Sequence, residues 1–536
     1  MSAVLAPSPT AAPLGAESTD LGGFGYRQEL RREVGHFSSF AAGFSFVSIL
    51  TTVFQLFALG FGFGGAAFFW TWPLVFAGQL LVALNFSHMA ARFPISGAIY
   101  QWASRLAGKR IGWMAGWVMI IGQILTVATA AIALQSVLPS LWSGFQIVGG
   151  RGADAAVTSS TGATNAVLLG MLLLAVTTTV SSLGVRLMTL VNSTGVLLEI
   201  IGVAAVIAAL LFHVHRGPSV LFTMTGAAPE QGLSGHVGAW LASGLMAAYV
   251  MVGFDSAGEL AEETAAPRRT TPRTIINALL VSGLGGALLI GGALLAAPSL
   301  TDGNLATGGL PWVLTSVLGP VGGRILLADV AVAVFCCTLA VQTSGSRMVF
   351  SMARENALPF SATLAKVSKR TGTPVVASVV VGAGAALALA VNLHQSAIFT
   401  ALSSICIAML YLAYLCVTLP LLLARLRARR HGLREKDLLD EHGEPLFSLG
   451  RWGVAINVVA VAYQAVSLVN LVWPRQAIFD LTGKTWWLQW SAVVFIGLVV
   501  AVGALIYRVM AHRASTIELA PIHAHGHTEH ALNVGA

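Results

Sequence analysis

The sequence predicts an all-α polytopic membrane protein, and three observations support this fold class. First, 56% of the 536 residues are hydrophobic and 10% are charged, whereas a soluble globular chain carries about 25% charged residues. Second, windows of about 20 apolar residues, the length of a transmembrane helix, recur twelve times along the chain. Third, the basic residues concentrate in alternate connections between these windows. We therefore predict twelve transmembrane helices.

The order and sidedness of the spans follow from these windows. The predicted spans begin near Phe40, Ala66, Ile111, Ala163, Met188, Gly238, Ile276, Arg324, Thr373, Ser396, Trp452 and Trp486. If both termini are cytoplasmic, the inner segments hold 25 of the 30 Lys and Arg residues. Because cytoplasmic loops are enriched in these residues, we expect a multi-pass protein of the plasma (cell inner) membrane with both termini in the cytoplasm. The net charge of +8 then reflects sidedness, and no nucleic-acid partner is predicted.

Both ends of the chain differ in composition from the spans. The first 24 residues are rich in Ala, Pro, Ser and Gly, without the charged and apolar blocks of a cleaved signal. This composition predicts a disordered cytoplasmic tail. The last residues contain the run HAHGHTEH. Because a flexible tail offers no fixed geometry for a metal ion, we predict no metal site there.

The first span carries four hydroxyl side chains near its centre, Ser45, Ser48, Thr51 and Thr52. Such hydroxyls could satisfy a locally broken backbone or face a cavity. Equally, Ser and Thr can bond back to their own helix at little cost. The residues alone leave both alternatives open.

The fifth span contains Glu199 about 11 residues from its cytoplasmic start, or roughly 16 Å along a helix. This places a carboxyl group in the middle of the bilayer, where it must be protonated, paired or beside water. One hypothesis is a group that carries a proton or pairs with a cation. The alternative is a neutral, hydrogen-bonded structural residue.

The sixth span is interrupted by Gly-Phe-Asp-Ser-Ala-Gly, residues 253–258. Irregular backbone inside a membrane survives only where protein or a water-filled cavity surrounds it. The interruption therefore predicts a broken helix whose backbone ends and Asp255 line a substrate site. The alternative is a glycine kink at a close helix contact, with Asp255 near an interface.

The loop after this break and the eighth span carry further polar residues. Glu259 stands one helical turn beyond Asp255, so both could face one path. We expect Glu262 and Glu263 to pair in water with the arginines of their own loop, at little energetic gain. The eighth span has Asp329 near its outer end, followed by Thr338 and other hydroxyls along its inner half.

Four stretches of the chain carry a likeness to a known family. They are ILTTVF in span one, FPISGAIYQWASRLAGKRIGWMAGW before span three, VGFDSAGELAEET in span six and SRMVFSMARENALP at the end of span eight. As a set, from about Phe40 to Pro374, they resemble the amino acid–polyamine–organocation (APC) superfamily of permeases. Each stretch singly is weak. Within the superfamily the chain is most similar to the amino acid/choline transporter group, which includes GABA permeases.

The resemblance implies a five-plus-five inverted repeat, spans one to five and six to ten, with broken helices 1 and 6 and with spans eleven and twelve outside the core. In the family, amides of helix one hold the substrate carboxylate and carbonyls of helix six hold its amine. The implied substrate-binding residues of this chain are Ser45, Ser48, Ile49, Leu50, Thr51, Thr52, Gly253, Phe254, Asp255 and Ser256. The implied coupling or gating residues are Asp255, Glu259, Glu199 and Thr338.

Two departures from the family pattern affect these expectations. Leu50 and Thr52 replace glycines that let a carboxylate approach the helix-one amides, which favours a longer ω-amino acid or an amine. Cys337 and Val341 stand where sodium-coupled relatives carry hydroxyls, and Thr338 is the nearest substitute. Proton coupling or uncoupled exchange is therefore favoured over sodium.

We accordingly predict a permease that moves an amino acid or related amine by alternating access, as a monomer or homodimer without a cofactor. The chain divides into a cytoplasmic tail and lead-in (1–36), a transporter core (37–424), a basic cytoplasmic loop (425–451), the last two spans (452–512) and a His-rich cytoplasmic tail (513–536). The alternative is a nutrient sensor or receptor that keeps the fold without turnover. No nucleophile, metal set or phosphate loop stands out, so no enzyme is predicted.

Overall fold

The computed structural model describes residues 24, 26, 28–157, 159–225, 232–393, 398–431, 439, 443–480 and 485–510. The His-rich tail and nearly all of the N-terminal tail lie outside these residues. Within them the backbone is helical, and strand-like pairing is limited to two isolated bridges.

The helices of the described residues carry labels in chain order. They are α1 (His36–Val47), α2 (Ile49–Gly64), α3 (Thr71–Arg92), α4 (Ala98–Ala107), α5 (Lys109–Leu141), α6 (Ser160–Leu183), α7 (Val185–Phe212), α8 (Gly232–Val250), α9 (Ser256–Glu259), α10 (Pro267–Ala296), α11 (Gly303–Arg354), α12 (Ser361–Leu364), α13 (Val375–Ala390), α14 (Ile398–Arg430), α15 (Gly453–Val472), α16 (Gln476–Phe479) and α17 (Ser491–Met510). A 3-10 helix, Gly65–Trp70, joins α2 to α3.

Nine helical stretches of the described residues are long and apolar enough to cross a membrane. They are His36–Arg92, Lys109–Leu141, Ser160–Leu183, Val185–Phe212, Pro267–Ala296, Gly303–Arg354, Phe399–Arg430, Gly450–Val472 and Trp486–Met510. The first of these stretches contains three α-helices, α1 to α3. The prediction of an all-α polytopic membrane protein is therefore confirmed. The count of twelve spans and the inverted repeat stay predictions, since α13 has 16 residues and α8 adjoins residues outside the described ranges.

The centre of the bundle is formed by α5 and α11, which pack against each other over much of their length, with α14 beside α5. Around them, α1 and α2 contact α8, α10 and α11, and α7 packs against α11. One hydrophobic core runs through all of these helices. The long helix α11 is not straight, because Gly309 and Gly319 have non-helical backbone angles. Its last part, which ends at Arg354, is the part that borders the site.

Candidate functional site

Two interrupted helices meet near the centre of the bundle. The first interruption is at Ser48, between the end of α1 at Val47 and the start of α2 at Ile49, where Ser48 has φ 34° and ψ 93°. Such a conformation costs a non-glycine residue about 1–3 kcal/mol, so its surroundings hold it. Ser48 N–H still donates to Phe44 O at 2.8 Å. Ser48 Oγ accepts from Thr51 N–H at 3.3 Å and thereby caps α2.

The second interruption lies between Val250, the end of α8, and Ser256, the start of α9. Gly253 within it has φ +92°, and a Cβ atom there would lie 1.7 Å from Cδ1 of Phe46 on α1. Glycine is thus required by both conformation and space. Ser256 Oγ donates to Ala42 O at 3.2 Å, so this interruption lies directly against α1. The break predicted in span six is confirmed.

The second interruption leaves main-chain acceptors free in a buried place. Within the described residues, no hydrogen bond reaches the carbonyl oxygens of Met251, Val252 or Phe254. These three residues are at most 2% exposed. Buried backbone groups without a partner are rare in native proteins because leaving them unpaired is costly. The three carbonyl groups could therefore bind an ammonium group.

Tyr414 on α14 ties the second interruption together. Its hydroxyl oxygen accepts a hydrogen bond from Gly253 N–H at 3.0 Å and donates one to Asp255 Oδ1. The other carboxylate oxygen of Asp255 is buried and has no hydrogen-bond partner among the described residues. The sequence does not single out Tyr414, since a tyrosine in an apolar span is common and its partners lie about 160 residues earlier.

Glu199 on α7 binds to the first interruption. Its side chain is fully buried, and Oε1 accepts hydrogen bonds from Ser48 Oγ at 2.8 Å and from Leu50 N–H at 3.3 Å. Both donors lie at the N-terminus of α2, where the helix dipole favours negative charge. Glu199 thus accepts the hydrogen bond of the Leu50 N–H group, which the family resemblance assigns to the substrate carboxylate. Its other oxygen, Oε2, has no hydrogen-bond partner within the described chain.

The remaining predicted hydroxyl groups differ in their partners. Thr52 Oγ1 donates to Ser48 O at 2.6 Å, and Thr338 Oγ1 donates to Val334 O at 2.8 Å. Both are bonds of Ser or Thr back to the preceding turn of their own helix. Ser45 Oγ is buried and lacks a partner in the described part of the chain. The roles of these residues in binding or coupling stay predictions.

Phe254 and Glu259 lie on the side of the second interruption that faces α3 and α4. The ring of Phe254 is fully buried, with its centroid 6.0 Å from that of Phe86 and 5.6 Å from that of Tyr414. The carboxylate of Glu259, also fully buried, faces the backbone N–H groups at the start of α4, near Ala98, but neither of its oxygens makes a hydrogen bond within the described residues. A helix N-terminus stabilises such a charge. Closure of Phe254 over a substrate and gating by Glu259 stay predictions.

Polar side chains on α2, α5 and α8 extend the site beyond the residues that the sequence singles out. Gln55 Nε2 donates to Thr129 O at 2.6 Å, and Thr129 Oγ1 lies 2.7 Å from the hydroxyl oxygen of Tyr249. Gln123 Nε2 donates to Ser344 Oγ at 2.9 Å. The side-chain oxygens of both glutamines are buried without a partner in the described residues. The sequence could have identified these glutamines, because polar side chains inside a membrane span are energetically costly and often functional.

Two ion pairs join the loop after α9 to the end of α11 on the predicted cytoplasmic side. Arg347 Nε donates to Glu263 Oε1 at 2.7 Å, and both side chains are 0% exposed. Arg354 Nη2 donates to Glu262 Oε1 at 2.7 Å, with side chains 10% and 0% exposed. The expectation that both glutamates pair in water within their own loop is therefore wrong. The end of α11 supplies the cations instead, and it buries them.

The segment before α1 covers these ion pairs. Val34 N–H donates to Glu263 O at 2.9 Å, and Ala265 N–H donates to Val34 O at 3.0 Å, which pairs this segment with the loop after α9. The guanidinium carbon of Arg354 lies 4.3 Å from the ring centroid of Tyr26. The segment is thus bound to the loop by main-chain hydrogen bonds and to α11 by a cation–π contact.

A small cavity lies between these ion pairs and the second interruption. Its volume is about 20 Å³, and its polar lining includes Ser38, Asn192, Ser256 and Thr343. The side-chain oxygen of Asn192 is buried and makes no hydrogen bond within the described residues. Such a volume holds about one water molecule.

Comparison with known proteins assigns the chain to a family. A family model described as "Amino acid permease" matches residues 34–500. The chain is 28% identical over 497 residues to the amino-acid permease BAT1 of Arabidopsis thaliana, covering 89% of this chain and 91% of that protein. It is 27% identical over 323 residues to the branched-chain amino acid permease BcaP of Lactococcus lactis, covering 58% and 66%. The predicted superfamily is thereby confirmed. The chain belongs to the amino acid permease family of the APC superfamily.

Proposed function

We propose that this protein is a secondary active transporter that moves an amino acid or a related amine across the plasma membrane by alternating access. The observation that carries the proposal is the juxtaposition of two interrupted helices, one presenting buried free carbonyl groups and the other a helix N-terminus. This pairing suits a solute with an ammonium group and an anionic group. Relatives named as amino acid permeases support the same substrate class.

The ammonium group of the substrate binds the carbonyl oxygens of Met251, Val252 and Phe254. These oxygens are buried and have no other partner among the described residues, so a substrate cation would satisfy them. The carboxylate of Asp255, one oxygen of which is also unpartnered, adds negative charge nearby. Asp255 is therefore assigned to substrate binding rather than to packing alone.

The anionic group of the substrate binds at the N-terminus of α2. There the amide of Leu50 already donates to Glu199, and the amide of Thr51 donates to Ser48 Oγ. The amide of Ile49 makes no hydrogen bond within the described residues. A bound anion must therefore use Ile49 N–H, or displace the Glu199 carboxylate from Leu50.

Glu199 couples proton movement to substrate movement. Its ionised form is held by two donors at the first interruption, and its neutral form would accept more weakly from both. Protonation would thus loosen α2 from α7 and free the amide of Leu50 for the substrate. Because each ligand alters the binding of the other, the two affinities are linked reciprocally. This assigns coupling to a proton rather than to sodium.

The transport cycle requires opening on the predicted cytoplasmic side. The two buried ion pairs and the segment before α1, which we call the closure, are the contacts that would have to separate there. The transporter core corresponds to residues 37–424, both termini are cytoplasmic, and the last two spans lie outside the core. The alternative function, a sensor on the same fold, would bind ligand without ever opening this closure.

The test is counterflow in proteoliposomes that contain the purified full chain. Labelled GABA, leucine, arginine, choline and spermidine are offered outside vesicles preloaded with the same unlabelled compound, at pH 5.5 and 7.5, with and without sodium. We expect at least one amino acid or amine to exchange. Its net uptake should increase at acid pH and should not depend on sodium. Saturable binding without exchange of label would replace the transporter by a sensor, and sodium-dependent uptake would refute the proton assignment.

A further inference from the structure

A second carboxyl group lies one helical turn from Glu199, on the neighbouring helix. A Cβ atom at Gly202 of α7 would lie 1.6 Å from Oδ2 of Asp329 on α11. The Asp329 carboxylate therefore occupies the space that a side chain at position 202 would fill. Glu199 and Gly202 are three residues apart, so they share one face of α7. This places the carboxyl groups of Glu199 and Asp329 beside each other along the seam between α7 and α11.

The seam has a second close contact that fixes its register. A Cβ atom at Gly195 would lie 2.1 Å from Cys336 Sγ. Gly195 and Gly202 are seven residues apart on α7, and Cys336 and Asp329 are seven residues apart on α11. Two contacts with equal spacing show that the helices run antiparallel and in register over two turns. Glu199 lies between the two contacts, directly against α11.

Both carboxyl groups have oxygen atoms without a hydrogen-bond partner in the described residues. Oε2 of Glu199 is one, and its side chain is fully buried. Oδ2 of Asp329 is the other, on a residue that is about half-buried. A buried carboxyl oxygen without a partner carries a cost that a shared proton or a bridging water would remove. A proton or water molecule shared by the two carboxyl groups would therefore satisfy both free oxygens.

The surroundings of the pair contain few other groups that titrate. The thiols of Cys336 and Cys337 face it from α11, and the hydroxyl groups of Ser48 and Thr51 face it from the first interruption. On the other side, α10 contacts α7 through Gly285, which lies near Val203. No Lys, Arg or His of the described residues is among the groups that act on either carboxyl. The two acids are therefore the candidates for proton exchange at this seam.

The two acids also differ in their access to solvent. Asp329 lies about one turn nearer the predicted outer side than Glu199, because α7 runs outwards from Glu199 to Gly202. Arg324, five residues earlier on α11 and about 7.5 Å further out, is exposed. Asp329 is half-buried, whereas Glu199 is enclosed. A proton from the outer solution would therefore reach Asp329 first.

We propose that Asp329 is the proton-entry group of this transporter and that it passes protons from the predicted outer side to Glu199. The proton leaves the Asp329 carboxyl group and binds the Glu199 carboxylate, directly or through one water molecule. The Asp329 carboxylate then takes up a proton from the outer solution, so one proton moves inwards in each step. This inference rests on the proposed proton coupling through Glu199.

The test compares proton-driven uptake with counterflow for Asp329→Asn. The probe is leucine, GABA or arginine, whichever the wild-type protein exchanges, in proteoliposomes with an acid exterior. We expect the variant to lose proton-driven uptake at least tenfold and to show a flattened pH profile, while counterflow at equal pH stays within about twofold of wild type. Asp329→Glu should restore uptake. Gly202→Ala, which displaces the Asp329 carboxylate, should reproduce the defect.

Asp302→Asn is the matched control. Asp302 is the N-cap residue of α11, the helix that carries Asp329, and Asn is also a good N-cap residue, so the substitution should leave the helix intact. An unchanged pH profile for Asp329→Asn, with Glu199→Gln uncoupled, would overturn this inference and leave the proposed function intact. Equal loss of counterflow and uptake in both Asp329→Asn and Asp329→Glu would also overturn it, as a structural role. Wild-type transport without any proton dependence, or no transport of any compound, would remove the proposed function and this inference together.

Discussion

Replacement of Glu263 by Gln removes one charge from an ion pair that is fully shielded from solvent. Arg347 donates through Nε and Nη2 to the two carboxylate oxygens at 2.7 and 3.1 Å, and neither side chain is exposed. After the substitution, the amide oxygen of Gln can still accept one of these bonds, but its NH2 group cannot accept the other, and no negative charge faces the guanidinium group. An uncompensated buried charge costs about 3–5 kcal/mol. We therefore expect the free energy of unfolding to fall by that amount.

Thermal unfolding in detergent, followed by tryptophan fluorescence, measures the effect. The matched control is Glu444→Gln, since Glu444 pairs with Arg269 at 2.5 Å but the two side chains are 67% and 35% exposed. Such a surface pair contributes about 0–1 kcal/mol. Glu262→Gln should fall between the two, because its partner Arg354 is 10% exposed and can take up water.

A rescue of the lost stability is also expected. Replacing both members of the buried pair with apolar residues, Glu263→Leu with Arg347→Met, removes the unpaired charge and should recover most of the lost stability. A Glu263→Gln variant that unfolds at the same temperature as Glu444→Gln would refute the argument. So would a double variant that is less stable than Glu263→Gln alone, because the buried charge would then not be the source of the loss.

Three further predictions concern the site and its closure. Gly253→Ala places a Cβ atom 1.7 Å from the buried ring of Phe46, at a residue with φ +92°. It should abolish uptake and lower the free energy of unfolding by about 2–4 kcal/mol. The control Gly238→Ala, which has open space around it, should preserve uptake and the unfolding temperature. Glu199→Gln should retain counterflow but lose the pH dependence of uptake; an unchanged pH profile would contradict its proton role. Burial raises the pKa of Tyr26 to about 12 from 10.0. The stability that its neutral phenol contributes should therefore be complete below pH 10 and be lost as the pH rises towards 12. Tyr26→Phe should remove this alkaline loss in thermal unfolding, whereas Tyr26→Ala should also lose the contact with Arg354, about 0.5–2 kcal/mol.

The sequence predicts best those features that depend on neighbours along the chain. The interruption around Gly253 is visible because glycines and a carboxylate inside an apolar run are both exceptional in a membrane. The buried position of Glu199 follows from its distance to the basic end of its span, and the structure confirms that burial. The two alternatives for the hydroxyl groups of the first span apply to different residues. Ser48 lies at a broken backbone, as its unusual backbone angles show, whereas Thr52 bonds back to its own helix.

The features that the sequence does not predict are pairings between distant segments. Glu199 meets Ser48 across 151 positions, and Tyr414 meets Asp255 across 159. Hydrophobic periodicity locates helices but contains no information on which helices become neighbours. The same limit explains the wrong expectation for Glu263, whose cation comes from a helix that begins forty residues later. The arginines that follow Glu263 in the sequence suggest themselves as its partners, but the packing of α11 places Arg347 beside it instead.

The closure on the predicted cytoplasmic side can be both stable and reversible, because mutation and opening leave the charged side chains in different surroundings. Mutation of Glu263 strands Arg347 in a medium of low dielectric constant, which accounts for the large expected loss. In the proposed cycle, opening would instead move the loop after α9 away from α11, so that water would enter and hydrate both partners. Exposed pairs of this kind gain only about 0–1 kcal/mol from contact, and hydrated partners therefore lose little by separating. A modest difference in substrate and proton affinity between the closed and open states would then be enough to shift the population of the open state.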